Sequence, residues 1–317
     1  MTRAICVIVT AGSGPGHDAS LVERVRTLFE RAGTPADIAL ARGGNELAAC
    51  IAAAIAQRPA VIVAGGGDGT ISSVGAALVG SGIALGVLPL GTLNHFARDA
   101  GVPLDLERAV DAIVDGRPTP VDVGEVNGRI FLNNSSLGLY PDIVRDRERQ
   151  QKRLGRGKWP ALAWATLAAL RRYPFLGVRL ALDSQQHWHL RKTPFVFIGN
   201  NEYTMEGFSI GERAALDRGR LSLYVAQRPG RLRLLLLALR ALCGRLKQAR
   251  DFDVLLATEL VVDSRRRHLH VATDGEVTRM QPPLCYRIRP ASLSVMLAST
   301  SAPPGHPEAA LAPARRD

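Results

Sequence analysis

Over the first 120 residues, short apolar runs alternate with longer stretches whose apolar residues recur at helical spacing. Ile5–Val9, Asp37–Ala41, Val61–Ala64 and Ile83–Pro89 read as strands, and Val61–Ala64, apolar throughout and largely β-branched, reads as a buried one. Between and after them, Leu21–Arg31, Asn45–Gln57, Ile71–Val79 and Leu106–Val114 read as helices; in the third, Ile71, Val74, Ala77 and Leu78 share one face. This β-α repetition predicts a doubly wound α/β domain over residues 1–120, with ligands at the C-terminal ends of its strands.

After Pro118 and Pro120 the pattern shortens. Val121–Val126, Ile130–Asn134, Val178–Leu182, His187–Leu190, Phe195–Ile198, Leu221–Val225, Glu259–Val262 and His268–Val271 are β-like runs separated by turns. They predict a β-sandwich or barrel-like domain over 121–295, leaving open a return of the last strands to the first domain. Two helical stretches interrupt the series. Trp159, Leu162, Ala163, Thr166, Leu167 and Leu170 form an apolar face after the basic run Arg145–Lys158. Leu232, Leu235, Leu236, Leu239 and Leu246 form another, with Arg233, Arg240 and Lys247 opposite. Such helices either lie on an anionic membrane or cover a core with their basic faces in water. Residues 296–317, rich in Pro and Ala towards the end, read as a disordered tail.

Composition narrows the class. A chain of 317 residues, 46% hydrophobic and with mean hydropathy near zero, is globular and long enough for two cores. The longest apolar run, Leu234–Leu239, falls far short of a membrane span, and the N-terminus is too short and too lightly flanked for a signal peptide. Cys6, Cys50, Cys243 and Cys285 sit in apolar surroundings without disulfide or CxxC spacing, which predicts buried thiols in a reducing, cytoplasmic setting. The net charge of +11 is lopsided: residues 1–120 hold nine arginines, no lysine and eleven acids, a net of −2, so the remainder carries +13. The basic half suits an anionic membrane surface. Its basic runs lack interleaved aromatics for base stacking, so nucleic acid is not an expected partner. The missing lysine excludes a Walker loop and a protein-kinase phosphate lysine in the first half.

The chemistry centres on Gly65-Gly66-Gly67-Asp68-Gly69-Thr70, between a strand and a helix. A strand that turns on glycines into a helix leaves backbone N–H groups unpaired, and the helix dipole adds to their pull on an anion. Asp68 would repel phosphate unless a cation such as Mg²⁺ bridged them. The alternative is a tight turn whose glycines supply positive φ, with Asp68 as the N-cap.

The second element, about twenty residues later, is Pro89-Leu90-Gly91-Thr92-Leu93-Asn94-His95-Phe96-Ala97-Arg98. Paired with Gly66-Gly67-Asp68-Gly69-Thr70, it resembles the catalytic domain of the diacylglycerol kinase and sphingosine kinase family, especially its soluble bacterial lipid-kinase branch. The resemblance continues through Asn200, Ala215-Leu216-Asp217 and Asp274-Gly275-Glu276, to about residue 295. It implies a phosphofructokinase-like nucleotide domain followed by a β-sandwich domain, with ATP and Mg²⁺ between them. It also implies that a lipid hydroxyl is phosphorylated at the inner face of the cytoplasmic membrane. By the same resemblance Gly66, Gly67, Asp68, Gly69 and Thr70 bind the nucleotide phosphates, and Asp68 also holds the metal. Thr92 contacts the nucleotide from the neighbouring loop; Thr10, Ser13 and Gly14 complete the cradle. Glu276, with Asp274 beside it, looks like the family's general base. Physically, an Asp-Gly-Glu borne on a strand puts both carboxylates on one side, with a hairpin turn as the alternative.

Several positions depart from the family. The first loop reads Thr10-Ala11-Gly12-Ser13-Gly14 in place of an Asn-Pro pair, Ala41 stands where relatives often carry threonine, and His95 where they often carry aspartate. Asp217-Arg218-Gly219 replaces the Asp-Asp-Gly of members with a structural Mg²⁺ site, so that site is expected to be absent or filled by the guanidinium. His187-x-His189 and His268-x-His270 lack a third ligand and read as ordinary strand histidines. Two other functions stay in view: an NAD kinase, which shares Gly-Gly-Asp-Gly, and a non-catalytic lipid- or nucleic-acid-binding protein on the same scaffold.

Overall fold

A computed structural model describes residues 4–11, 17–138, 176–183, 188–206, 209–226 and 252–298. Strands β1 (Ile5–Thr10), β2 (Asp37–Ala41), β3 (Val61–Gly66) and β4 (Ala84–Pro89) run parallel in the order β2-β1-β3-β4. Helices α1 (His17–Arg31), α2 (Gly44–Ala56), α3 (Asp68–Leu78), α4 (His95–Asp99) and α5 (Leu106–Val114) accompany them. β3 and β4 are buried at every residue, as strands covered on both faces must be. α2 buries Leu47, Ile51 and Ala54, one helical stripe. α5 starts where the Asp105 carboxylate accepts the Arg108 N–H at 3.0 Å, an N-cap worth about 1 kcal/mol.

The chain continues as β5 (Arg117–Val126), β6 (Arg129–Phe131), β7 (Asn134–Gly138), β8 (Leu176–Leu182), β9 (His189–Thr193) and β10 (Phe195–Asn200). It ends with β11 (Tyr203–Glu206), β12 (Ser209–Arg213), β13 (Leu221–Ala226), β14 (Phe252–Ala257), β15 (Glu259–Asp263), β16 (Leu269–Thr273), β17 (Glu276–Met280) and β18 (Leu284–Leu297). One layer is the six-stranded sheet β14-β13-β10-β7-β16-β17; the other is β18-β15-β8-β9, which extends the α/β sheet. Leu137, Val196, Ile198 and Val271 from the first share a core with Val178, Leu180, Leu260 and Val262 from the second. The architecture is a mixed α/β sheet with a β-sandwich built on its far end.

β18 joins the two. Its first part pairs antiparallel with β15, its last part runs parallel to β4 at Val295↔Leu85, and β5 flanks both, with a register shift between Arg289 and Leu293. The sequence pattern missed β11, β12, β14, β17 and β18. Pro290 and the alternation Leu284-Cys285-Tyr286-Arg287 hide β18 from a search for continuous apolar runs. That alternation also corrects the cysteine reading. Leu284 and Tyr286 point inward, so Cys285 between them is exposed, and Cys50 is only half-buried; Cys6 is buried as expected. The run expected as one strand over Ile130–Asn134 breaks at Leu132-Asn133, for a reason given below. Ser13, Gly14, His187, Cys243, the helical stretches at 159–170 and 232–246, and residues 299–317 of the tail lie outside the described residues.

Candidate active site

β3 ends at Gly66, and α3 begins two residues later with Gly67 as its extended N-cap (φ −84°, ψ −178°) and no side-chain cap. The N–H groups of Thr70 and Ile71 turn back onto the Gly67 carbonyl at 2.9 and 3.1 Å. The N–H groups ahead of them are those a helix cannot pair internally. Gly66 is packed hard: a Cβ there would lie 2.5 Å from the hydroxyl oxygens of both Thr10 and Thr70. Those hydroxyls hydrogen-bond each other at 3.0 Å across the ends of β1 and α3. Thr10 and Thr70 are thus brought together over the glycine turn.

The loop after β4 closes on the same place. The Leu90 N–H donates to the Gly66 carbonyl at 3.0 Å, and a Cβ on Gly91 would lie 2.5 Å from the Gly67 Cα, so the two loops touch backbone to backbone. Asn94 holds the second loop in shape. In the left-handed region at φ 50°, it accepts the Gly91 N–H at 3.0 Å and donates to the Gly91 and Pro89 carbonyls at 2.9 and 3.2 Å. Asn tolerates that conformation better than most residues. Thr92 and Leu93 project from the loop tip, exposed. Asp68 is not the N-cap of α3, which corrects the turn alternative. As the first helical residue, it accepts the Phe96 N–H at 3.2 Å, tying α3 to the start of α4.

Opposite lies the β16–β17 hairpin, which bears out the strand-borne reading of Glu276, the first residue of β17, and corrects that of Asp274, which lies in the turn. Thr273 pairs with Glu276, and Asp274 (φ 48°) and Gly275 (φ 84°) form the two-residue turn, the geometry that Asp-Gly favours. The two carboxylates therefore do different work. Asp274 accepts the N–H groups of Leu132, Asn133 and Asn134 at 2.8, 2.8 and 3.1 Å, and this is what breaks the strand between β6 and β7. Burial pushes its carboxyl above the usual aspartate range; the three amides and the Ser72 hydroxyl of α3 pull against it. Glu276 is 72% exposed and ion-paired with Arg129 of β6 at 2.7 Å.

Several residues that organise the site carried no role in the sequence reading. Arg213, fully buried, donates from Nε to Asp99 at 2.7 Å, from Nη1 to the Leu132 carbonyl at 2.8 Å and from Nη2 to Asn133 at 2.7 Å, and it lies over the Tyr203 ring. Asp122, a lone acid between Val121 and Val123, accepts the N–H groups of Gly219 and Ala291 at 2.6 and 2.9 Å. An acid inside an apolar strand was the available signal for it. Asn200 donates to the carbonyls of Asp122 and Leu132, each at 2.8 Å. The 217–219 loop is shaped by Asp122 and by Asn201, which accepts the Arg218 N–H at 3.0 Å, while the Arg218 side chain is exposed. Among the described residues, no three His, Cys, Asp or Glu side chains cluster as a metal cage.

Two family models match adjacent parts of the chain. Residues 4–126 match the diacylglycerol kinase catalytic domain, and residues 143–297 match the YegS C-terminal NAD kinase beta sandwich-like domain. Residues 4–126 thus form a diacylglycerol kinase catalytic domain, followed by a YegS-type sandwich domain. Over 103 residues (32% of this chain, 34% of the relative) it is 45% identical to a Pseudomonas aeruginosa protein named "Probable lipid kinase YegS-like". Over 196 residues (61% of this chain, 62% of the relative) it is 31% identical to the Pseudomonas savastanoi pv. phaseolicola protein of that name. A Bacillus subtilis diacylglycerol kinase is 42% identical over 89 residues, 27% of this chain and 29% of the relative. These alignments span from under a third to under two thirds of the relatives' lengths. A diacylglycerol kinase structure from Bacillus anthracis str. Sterne shares the fold, with TM-score 0.67 at 19% identity over 94% of this chain and 97% of that one.

The residues present suit the Mg²⁺–nucleotide that this kinase family implies. Gly66 and Gly91 have no room for a side chain, and the surroundings offer hard oxygens: the Asp68 carboxylate and the Thr10 and Thr70 hydroxyls. Mg²⁺ beside a nucleotide needs one or two carboxylates, with phosphates and waters supplying the rest, so a single aspartate suffices.

Proposed function

We propose that the protein is an ATP- and Mg²⁺-dependent kinase that phosphorylates the hydroxyl of a diacylglycerol-like lipid at an anionic membrane surface. The observation that carries this reading is the backbone contact of Gly67 with Gly91 under the Thr10–Thr70 pair, a phosphate cradle built without lysine. In it, the amides at the start of α3 and the two threonine hydroxyls bind phosphate oxygens, Thr92 reaches the nucleotide from the facing loop, and Asp68 holds the metal. Ser13 and Gly14 are assigned to the same cradle by the family resemblance. Bound Mg²⁺–ATP supplies the phosphoryl group and neutralises the charge that spreads over it during transfer. Glu276 takes the proton from the lipid hydroxyl as its oxygen bonds to the γ-phosphorus; the bond to the bridging oxygen breaks and ADP leaves. Arg129 holds the Glu276 carboxylate in place, while Asp274 fixes the hairpin that presents it.

A lipid acceptor fits the relatives' names and the exposed Leu93 beside the cradle. An NAD kinase is the second reading, favoured only by the description of the sandwich domain. Incubating the protein with ATP, Mg²⁺ and a panel of lipid alcohols in anionic micelles should give a phosphorylated lipid. Turnover on NAD or another soluble acceptor, with none on any lipid, would defeat the proposal. Glu276→Gln should lose most turnover while still binding ATP; full activity would remove Glu276 as the base.

A further inference from the structure

β9 is the last strand of the ten-stranded sheet, hydrogen-bonded only to β8 among the described strands, and four of its five residues are exposed. Edge strands are commonly guarded by charge, and Arg191 and Lys192 suit that duty. Trp188 and Leu190 do not: they are 49% and 74% exposed, and large apolar groups on an open edge invite association. Their spacing of two puts them on the same side of the strand. Arg179 of β8 lies over the Trp188 ring, 5.4 Å from its centroid, and is ion-paired with Asp263. Past Asp263, the β15–β16 loop adds Arg265, Arg266 and Arg267. Arg179, Leu190, Arg191, Lys192, Arg265 and Arg266 line one open cleft of about 720 Å³. Among the described residues, Asp263 is the one acid lining this cleft or the hollow beside it.

We propose that this edge is the surface by which the protein docks on an anionic phospholipid bilayer. The charge is complementary to lipid phosphates, and a tryptophan and a leucine ringed by arginines match the headgroup–acyl boundary. A nucleic acid would need open aromatic faces, whereas Arg179 covers one face of Trp188. The surface is separate from the candidate active site: β16 runs between them, five residues or roughly 17 Å. The proposal rests on the lipid-kinase reading for its purpose, yet the two can fail independently.

The test is co-sedimentation of the full chain, without ATP, with vesicles of phosphatidylcholine alone or mixed with phosphatidylglycerol. Binding is expected only to the mixed vesicles and should weaken with salt. Trp188→Ala/Leu190→Ser and Arg265→Glu/Arg266→Glu should each weaken it about tenfold or more, with melting temperatures checked in parallel. If the charge reversal unfolds the chain, the first pair decides. With a short-chain, water-dispersed diacylglycerol, both variants should keep wild-type turnover while losing it on the same lipid in vesicles. Undiminished vesicle binding by the variants, no binding by the wild type, or loss of duplex-DNA binding in place of vesicle binding would overturn the docking surface. Vesicle binding as expected with no lipid turnover would overturn the kinase reading instead.

Discussion

Asp274 and Glu276 are two residues apart, and their environments divide the labour. The Asp274 carboxylate serves three backbone amides that would otherwise lack partners. Asp274→Ala should therefore lower stability by about 2–4 kcal/mol in a urea titration. Glu276→Gln removes only an exposed ion pair and should change it by at most about 1 kcal/mol, although it removes the proposed base. Equal stability losses would put both residues in the same structural role. pH separates them further. Because burial raises the Asp274 pKa in the folded chain, the folded state holds its proton to higher pH than the unfolded state does. Its contribution is thus fully present below the unfolded value and is lost as pH rises through the folded pKa. Asp274→Asn, which never ionises, should flatten the stability–pH curve over that interval; an unchanged slope would mean that amides and burial cancel, and a change of the opposite sign that the amides outweigh burial.

At the level of elements, two loops make the cradle, and their contact needs glycine at position 91. Gly91→Ala would drive a methyl group into the Gly67 backbone at 2.5 Å, forcing the loops apart. It should weaken ATP binding at least about tenfold, read by calorimetry, at a stability cost of about 1–3 kcal/mol. Gly69→Ala is the control: nothing lies within 4 Å of its added methyl and its φ is ordinary, so stability should hold or rise slightly. Gly91→Ala with wild-type ATP affinity would take the loop contact out of the site. This part of the molecule was legible in the sequence because strand, glycine turn and helix are contiguous: Val61–Gly66, Gly67 and Asp68–Leu78 each carry their own local signal. The hairpin was misread because Asp-Gly is equally a turn and a small-residue gap in a strand, and only the Thr273↔Glu276 pairing separates the two. β14 left no trace in the pattern, since Phe252 and Ala257 are buried while the more apolar pair Leu255-Leu256 is exposed.

Across the whole molecule, what escaped the sequence is long-range polar burial. Arg213 lies 114 residues from Asp99 and about 80 from Leu132 and Asn133, and no local pattern marks an arginine for the interior. Yet it fastens α4 of the α/β layer to the β6–β7 break, whose other side Asp274 holds, so the α4 end of the second glycine loop and the hairpin are tied through one guanidinium. β18 joins the same two layers through its backbone. With both links in place, the chain should unfold in a single cooperative transition. Arg213→Met leaves the Asp99 carboxylate buried without its partner and should cost about 3–5 kcal/mol; adding Asp99→Leu removes the stranded charge and should recover a good part of it. Chemical denaturation followed by tryptophan fluorescence and by far-UV circular dichroism measures both. If the double variant is no more stable than Arg213→Met, the arginine stabilises through the Leu132 carbonyl and Asn133 alone. If the two signals separate in Arg213→Met but coincide in the wild type, the guanidinium is what makes the two layers unfold as one.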